Sequence, residues 1–225
     1  MAILSLRRAD YPIAASKKAA LFFKHIGCNN FLSTTNFFNL SSLPKPIQKE
    51  LQFEKPFELI FVGRNDRIKN LSLLKEVVNN LPAENKVVLH IFGQDGIDTN
   101  RIHYHGWCTE DEIVKFMNIR AHAFILPSLF EASPLPLLSA LALGLPCLVS
   151  STALPLEYKG YAKSFSTKKE LQEALLSLFE NYELNAKRSF SNSYNIREVY
   201  AAKVVLTKEF EELFSQIEKK DQKTP

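Results

Sequence analysis

Apolar and polar positions along the chain follow two rhythms. Short, mostly apolar runs at residues 57–62, 86–92, 123–126 and 146–150 have the length and texture of strands buried on both faces, and a short strand is also expected at 101–105. Stretches with helical spacing lie between them. Residues 71–80 put Leu74, Val77 and Val78 on one face. Residues 109–118 open with Thr109 and Glu112, the two halves of a capping box. Residues 136–143 end at Gly144, where a helix C-terminal cap belongs. Closing helices are expected over 168–180 and 197–219, and an early one over 14–25, with Ser16 near its start and Gly27 just past its end. Strands alternating with helices predict the α/β class, a Rossmann-like parallel sheet with helices on both faces.

In such sheets ligands collect at the carboxyl ends of the strands. Five of the seven glycines, at 63, 93, 96, 106 and 144, fall at these turn positions, so the informative residues should follow the strands directly. Residues 36–49 carry two prolines with several Ser and Asn and read as a linker, which puts a domain boundary near residue 50. The expected division is a partial unit over 1–50, a full domain over 51–218 and a basic tail over 219–225.

Composition narrows the function. With 225 residues, 46% hydrophobic and 23% charged, the chain can build one full domain and part of a second. The net charge of +4 suits an anionic ligand or an acidic membrane surface. No helix-turn-helix pattern, aromatic RNA-binding signature or concentrated basic stripe accompanies it, so nucleic acid is not an expected partner. Cys28, Cys108 and Cys147 are scattered and form no Cys-x-x-Cys pair, which argues against a zinc site or a disulfide framework and for a reducing compartment. His103 and His105 share one face of a strand but lack a third ligand, and no metal is expected. No apolar run approaches the roughly 20 residues needed to span a bilayer, and residues 1–8 lack the apolar core of a leader. A cytoplasmic protein, with peripheral contact at the inner membrane face left open, is the expectation.

Three clusters carry candidate chemistry. Gly63-Arg64-Asn65-Asp66-Arg67-Ile68-Lys69-Asn70 follows a strand and precedes a helix; its guanidinium at Arg64 and ammonium at Lys69 suit a diphosphate, although a charged surface turn would look the same. Gly93-Gln94-Asp95-Gly96 is a weaker signal, equally readable as a simple turn. The third, residues 127–146, runs from a strand through a loop into a helix. It presents Glu131 to accept sugar hydroxyls, and backbone donors at a helix start to meet phosphate.

These clusters, in this order, resemble group 1 (family 4) glycosyltransferases of the GT-B fold. Residues 11–214 resemble the C-terminal, nucleotide-sugar-binding half together with the last portion of the N-terminal domain around Ala14-Ala15-Ser16-Lys17-Lys18. The resemblance implies that Arg64 and Lys69 grip the donor diphosphate and that Glu131 contacts the donor sugar. It further implies that Ala132, Ser133, Pro134 and Leu135 lie against sugar and phosphate, with Gly63 and Gly93 at the donor-side turns. The backbone of Trp107 would lie near the base. Glu131, Arg64 and Lys69 are the expected catalytic set. The chain departs from the pattern at Ser139, where the family's second acid binds the ribose, at Pro134, often glycine, and at Asn70, commonly glycine. The implied activity is retaining transfer of a sugar from a UDP-, GDP- or ADP-sugar to a hydroxyl, without a metal, in cell-surface polysaccharide or glycolipid synthesis. An N-terminal half or partner chain would supply the acceptor site. A non-catalytic nucleotide-sugar-binding module, or the remnant of a truncated gene, is the alternative.

Overall fold

The computed structural model describes residues 12–221 except 30, 36, 40, 41 and 53, together with residue 9. Residues 1–8 and residues 222–225 of the tail lie outside the described residues. The chain forms two parallel sheets. A small one pairs β1 (Ile13–Ala14) with β2 (Leu32–Ser33) across helix α1 (Lys17–His25). The main sheet has six strands: β3 (Phe57–Val62), β4 (Val87–Phe92), β5 (Ile102–Tyr104), β6 (Ala123–Leu126), β7 (Cys147–Ser150) and β8 (Lys163–Phe165), in spatial order β5-β4-β3-β6-β7-β8. Every adjacent pair is parallel. The winding therefore reverses between β3 and β6, which opens a crevice above their carboxyl ends.

The expected α/β Rossmann-like architecture is the one observed. Alternation along the strands explains the two-sided core. Phe57, Leu59 and Phe61 of β3 face a cluster with α2 (Leu71–Asn79) and α5 (Lys168–Glu180). Ile60 points the other way, into a cluster with α3 (Glu110–Ile119), α4 (Leu135–Ala142) and α6 (Tyr182–Val199). All these β3 side chains are at most 1% exposed.

The capping box forms: Thr109 accepts from the Glu112 N–H, and Glu112 accepts from the Thr109 N–H at 2.7 Å. Gly144 ends α4 at φ +75°, and it does a second job. A Cβ there would come within 3.0 Å of the Phe190 Cα, so glycine lets α6 lie against the end of α4.

Two expectations about elements are corrected, and two elements are added. The early helix starts at Lys17, not residue 14; Ser16 caps it by accepting from Ala19 N–H at 3.1 Å, and Ala14 belongs to β1. The last helical stretch breaks at Tyr200–Ala201, because Phe38 inserts there: its N–H donates to the Tyr200 carbonyl, and its carbonyl accepts from Ala202 N–H. Arg197 thus lies in the last turn of α6, while α7 (Ala202–Asp221) runs into the segment read as a tail. Helix α6 went unread because its buried positions, Tyr182, Ala186, Ser193 and Ile196, include two small residues that leave little apolar periodicity. Strand β8 is three residues long with one buried side chain, too short to register.

Candidate functional site

The loops after β3 and β6 meet at the reversal point. Gly63 leaves β3 with its N–H donating to the Phe92 carbonyl at 2.9 Å. A Cβ at Gly63 would sit 2.8 Å from the Phe61 ring and 3.4 Å from Lys69 Cδ, so the missing side chain makes room for the Lys69 stem. The loop then tightens into a 3-10 turn, Arg67–Lys69, capped by Asp66, whose Oδ1 accepts from Ile68 N–H at 2.9 Å. Asn70 leaves that turn at φ 49°, a left-handed conformation that glycine takes readily and that asparagine tolerates better than most residues. The departure from glycine at this position is therefore conformationally mild.

Two bonds tie this loop to the one after β6, and a third, within the latter, shares the carboxylate of one of them. Leu129 N–H donates to the Ile68 carbonyl at 2.8 Å. Lys69 Nζ donates to Glu131 Oε1 at 2.6 Å, and Ser128 Oγ donates to the same oxygen at 2.8 Å. The Lys69 and Glu131 side chains are 21% and 13% exposed, so the pair is half-sheltered yet open to a ligand. Arg64 is exposed and makes no ion pair among the described residues. The loop thus carries one balanced pair and two exposed guanidiniums, Arg64 and Arg67, without ion pairs among the described residues.

The second glycine turn braces the first. Gly93 has φ +92°, and a Cβ there would meet the Gly63 carbonyl oxygen at 3.0 Å. Gly93 N–H donates to the Gly106 carbonyl at 2.7 Å, and the Gln94 side chain donates to the Gly63 carbonyl at 3.1 Å. The ends of β3, β4 and β5 are joined this way. Trp107 follows on the rim, 75% exposed.

The remaining expected positions lie along the entrance to α4. Ala132 is exposed, Leu135 is 54% exposed and Pro134 is buried at the helix N-cap. Prolines at 134 and 136 thin the donors at this helix start. Leu137 N–H turns back to the Pro134 carbonyl at 3.2 Å, which leaves Leu135 N–H as the helix's outward donor. The Ser133 hydroxyl, together with that of Thr35, bonds to the Tyr158 hydroxyl. Burial pushes the Tyr158 phenol well above its usual range, so it stays neutral. Ser139 is half-buried in the first turns of α4, and its hydroxyl makes no hydrogen bond among the described residues.

Lys18, Ser128 and Tyr158 also belong to this rim; the first two lie in segments the sequence singles out, but none of the three has a role assigned from it. They reach it from separate elements, and only the tertiary fold brings them together. His103 of β5 and His105 just past it lie elsewhere. His105 Nε2 is 2.9 Å from His90 Nδ1, and His103 is 3.3 Å from Asp98. Among the described residues no group of three metal-ligating side chains occurs.

Comparison with known proteins follows this geometry. The family model described as glycosyl transferases group 1 matches residues 44–195. The chain belongs to that family. The match spans β3 to β8 and both rim loops of this group 1 domain. A search of curated proteins found no match. Among solved structures, the sucrose-phosphate synthase of Thermosynechococcus elongatus superposes with TM-score 0.78 at 16% identity, over 96% of this chain and 60% of that one. Anabaena HepE in complex with UDP gives 0.75 at 16%, over 94% and 65%. S. aureus TarM, solved in a complex that includes UDP, gives 0.74 at 16%, over 94% and 45%. At these identities the likeness is one of fold, the GT-B glycosyltransferase architecture. The group 1 chain spans roughly half to two thirds of the length of these structures. No helix among the described residues is long and apolar enough to cross a membrane.

Proposed function

We propose that this chain is the donor-binding half of a retaining glycosyltransferase, taking a sugar from a UDP-, GDP- or ADP-sugar to a hydroxyl acceptor. One observation carries the reading. At the reversal point of the sheet, an unmatched guanidinium (Arg64) shares a loop with an ammonium that already reaches across to a carboxylate on the facing loop (Lys69 to Glu131, 2.6 Å). A diphosphate placed there meets two cations, and the sugar attached to it meets Glu131.

The chemistry follows. The bond between the anomeric carbon and the β-phosphate oxygen breaks, and its electron pair goes to the diphosphate. Arg64 and Lys69 stabilise that leaving charge without a metal. The acceptor oxygen bonds to the anomeric carbon, and its proton passes to a phosphate oxygen. Glu131 accepts hydrogen bonds from the sugar hydroxyls and orients the ring. Gly63 and Gly93 keep the floor flat, the Trp107 backbone borders the base, and residues 132–135 line the sugar–phosphate junction. Ser139 takes the ribose end with a short neutral hydroxyl. Residues 1–50 are the closing portion of an acceptor domain whose remainder comes from an N-terminal half or a partner chain. The exposed apolar residues Leu129, Phe130 and Leu135, 50–54% exposed, border the cleft it would close. The setting is cell-surface polysaccharide or glycolipid assembly on the cytoplasmic side of the membrane.

A second reading, a nucleotide-sugar-binding module without activity of its own, is favoured by the serine at 139. Losing a charged partner for the ribose costs about 1.5–3 kcal/mol, or roughly ten- to a hundredfold in affinity. Calorimetric titration of the full chain against UDP-, GDP- and ADP-sugars, alone and with a protein supplying the other half, tests both. Saturable binding is expected with one base, and turnover with the second half present. Binding without turnover in any combination selects the module, and no heat with any donor overturns both readings.

A further inference from the structure

Helix α1 reaches the rim from the small sheet. Lys17 N–H donates to Glu157 Oε1, and Lys18 Nζ donates to the Thr152 carbonyl just past β7. The same ammonium stands 4.3 Å from the centroid of the Phe130 ring. It is also close enough to the Glu131 carboxylate for the two charges to act on each other. Burial lowers the Lys18 pKa below its ordinary value, and the Glu131 charge works against that shift. Glu131 thus has an ammonium bonded to it from the β3 loop and a second one nearby from α1. Both hydrogen bonds it accepts end on Oε1, so Oε2 keeps free capacity among the described residues.

This arrangement matters when an anion arrives. A diphosphate bound at Arg64 competes with Glu131 for Lys69. If Lys69 moves to the phosphate, a carboxylate at a half-sheltered rim is left with Ser128 alone, and an uncompensated charge there opposes binding. A second cation in reach removes that penalty.

We propose that Lys18 is a positioning residue of the donor site, taking over the charge of Glu131 as Lys69 turns to the diphosphate while its ring contact holds the 127–134 loop in place. The proposal rests on the donor reading above. It adds a role for the chain's first fifty residues: they complete the electrostatics of the donor site and do not merely border it.

The test titrates the full chain with UDP, GDP and ADP, and then with the nucleoside of whichever diphosphate binds. Lys18→Met is expected to weaken the diphosphate about tenfold and leave nucleoside affinity within about twofold, because a nucleoside does not draw Lys69 away. Lys18→Arg should restore diphosphate affinity, and Lys24→Met, on the same helix, should change neither. In a Glu131→Gln background the Lys18→Met penalty should vanish, since no carboxylate charge remains to be balanced. Equal weakening of diphosphate and nucleoside, or an undiminished penalty in the Glu131→Gln background, would reduce Lys18 to a structural prop and overturn the proposal. If the unaltered chain binds no nucleoside diphosphate, the donor reading itself fails, which is a separate result from an unchanged Lys18→Met.

Discussion

Two charged clusters flank the same sheet and are built in opposite ways. At the carboxyl ends of β3 and β6, Lys69, Glu131, Ser128 and Lys18 share one carboxylate, while Arg64 stays unmatched and open to solvent. At the far end, Glu58 at the start of β3 is closed in. It takes hydrogen bonds from Arg120, His90 Nε2 stands 3.4 Å from its Oε1, its backbone N–H donates to His122 Nδ1 at 3.0 Å, and its side chain is 12% exposed. Burial works against the Glu58 carboxylate, but those partners outweigh it and hold its pKa down to about 2. The closed cluster has its carboxylate matched from within the fold and locks strand to helix. The open one has positive charge to spare, which is the condition for holding an anionic ligand.

The comparison can be broken in four ways. Arg64→Ala has the largest expected effect: nucleoside diphosphate affinity should fall by about a hundredfold or more, while the melting temperature stays within about 2 °C because the side chain touches little. A large drop in melting temperature would make Arg64 structural. Glu58→Ala should do the reverse. It leaves buried His90 unpaired and should cost on the order of 2 kcal/mol in urea unfolding, with nucleotide affinity unchanged within twofold.

Ser139→Glu should tighten nucleotide binding about tenfold by restoring a charged ribose partner; no change in the titration would mean that the ribose does not reach α4. The smallest effect belongs to His122, whose pKa burial lowers to about 4. The unfolded chain takes up this proton near pH 6.5, and the folded chain only near pH 4. Stability should therefore fall as pH drops through that window, by about 1 kcal/mol at pH 6. His122→Gln should remove that portion of the slope in unfolding curves recorded between pH 7.5 and 6.

Much of this was legible in the chain because local chemistry announced it. The apolar runs of β3, β4, β6 and β7, the Thr109–Glu112 box and the glycines at 63, 93 and 144 each state a backbone requirement within a few residues. Their order was enough to expect the parallel sheet and to place Arg64, Lys69 and Glu131 on its ligand side. What stayed hidden depends on contacts between distant segments. Helix α6 buries alanine and serine where a periodicity looks for leucine. The break at Tyr200 comes from Phe38. Lys18 looks like an ordinary surface lysine until α1 docks beside Phe130. The Ser133–Tyr158–Thr35 hydroxyl group is likewise assembled by tertiary packing, from three loops that share no motif.

A crystal structure of the full chain with a bound nucleoside diphosphate is the sharpest trial of the open cluster. The expected result places the β-phosphate oxygens within hydrogen-bond distance of the Arg64 guanidinium and Lys69 Nζ, with the 2.6 Å contact between Lys69 and Glu131 opened. A nucleotide seated elsewhere on the chain, with that contact intact and Arg64 still facing solvent, would contradict the account.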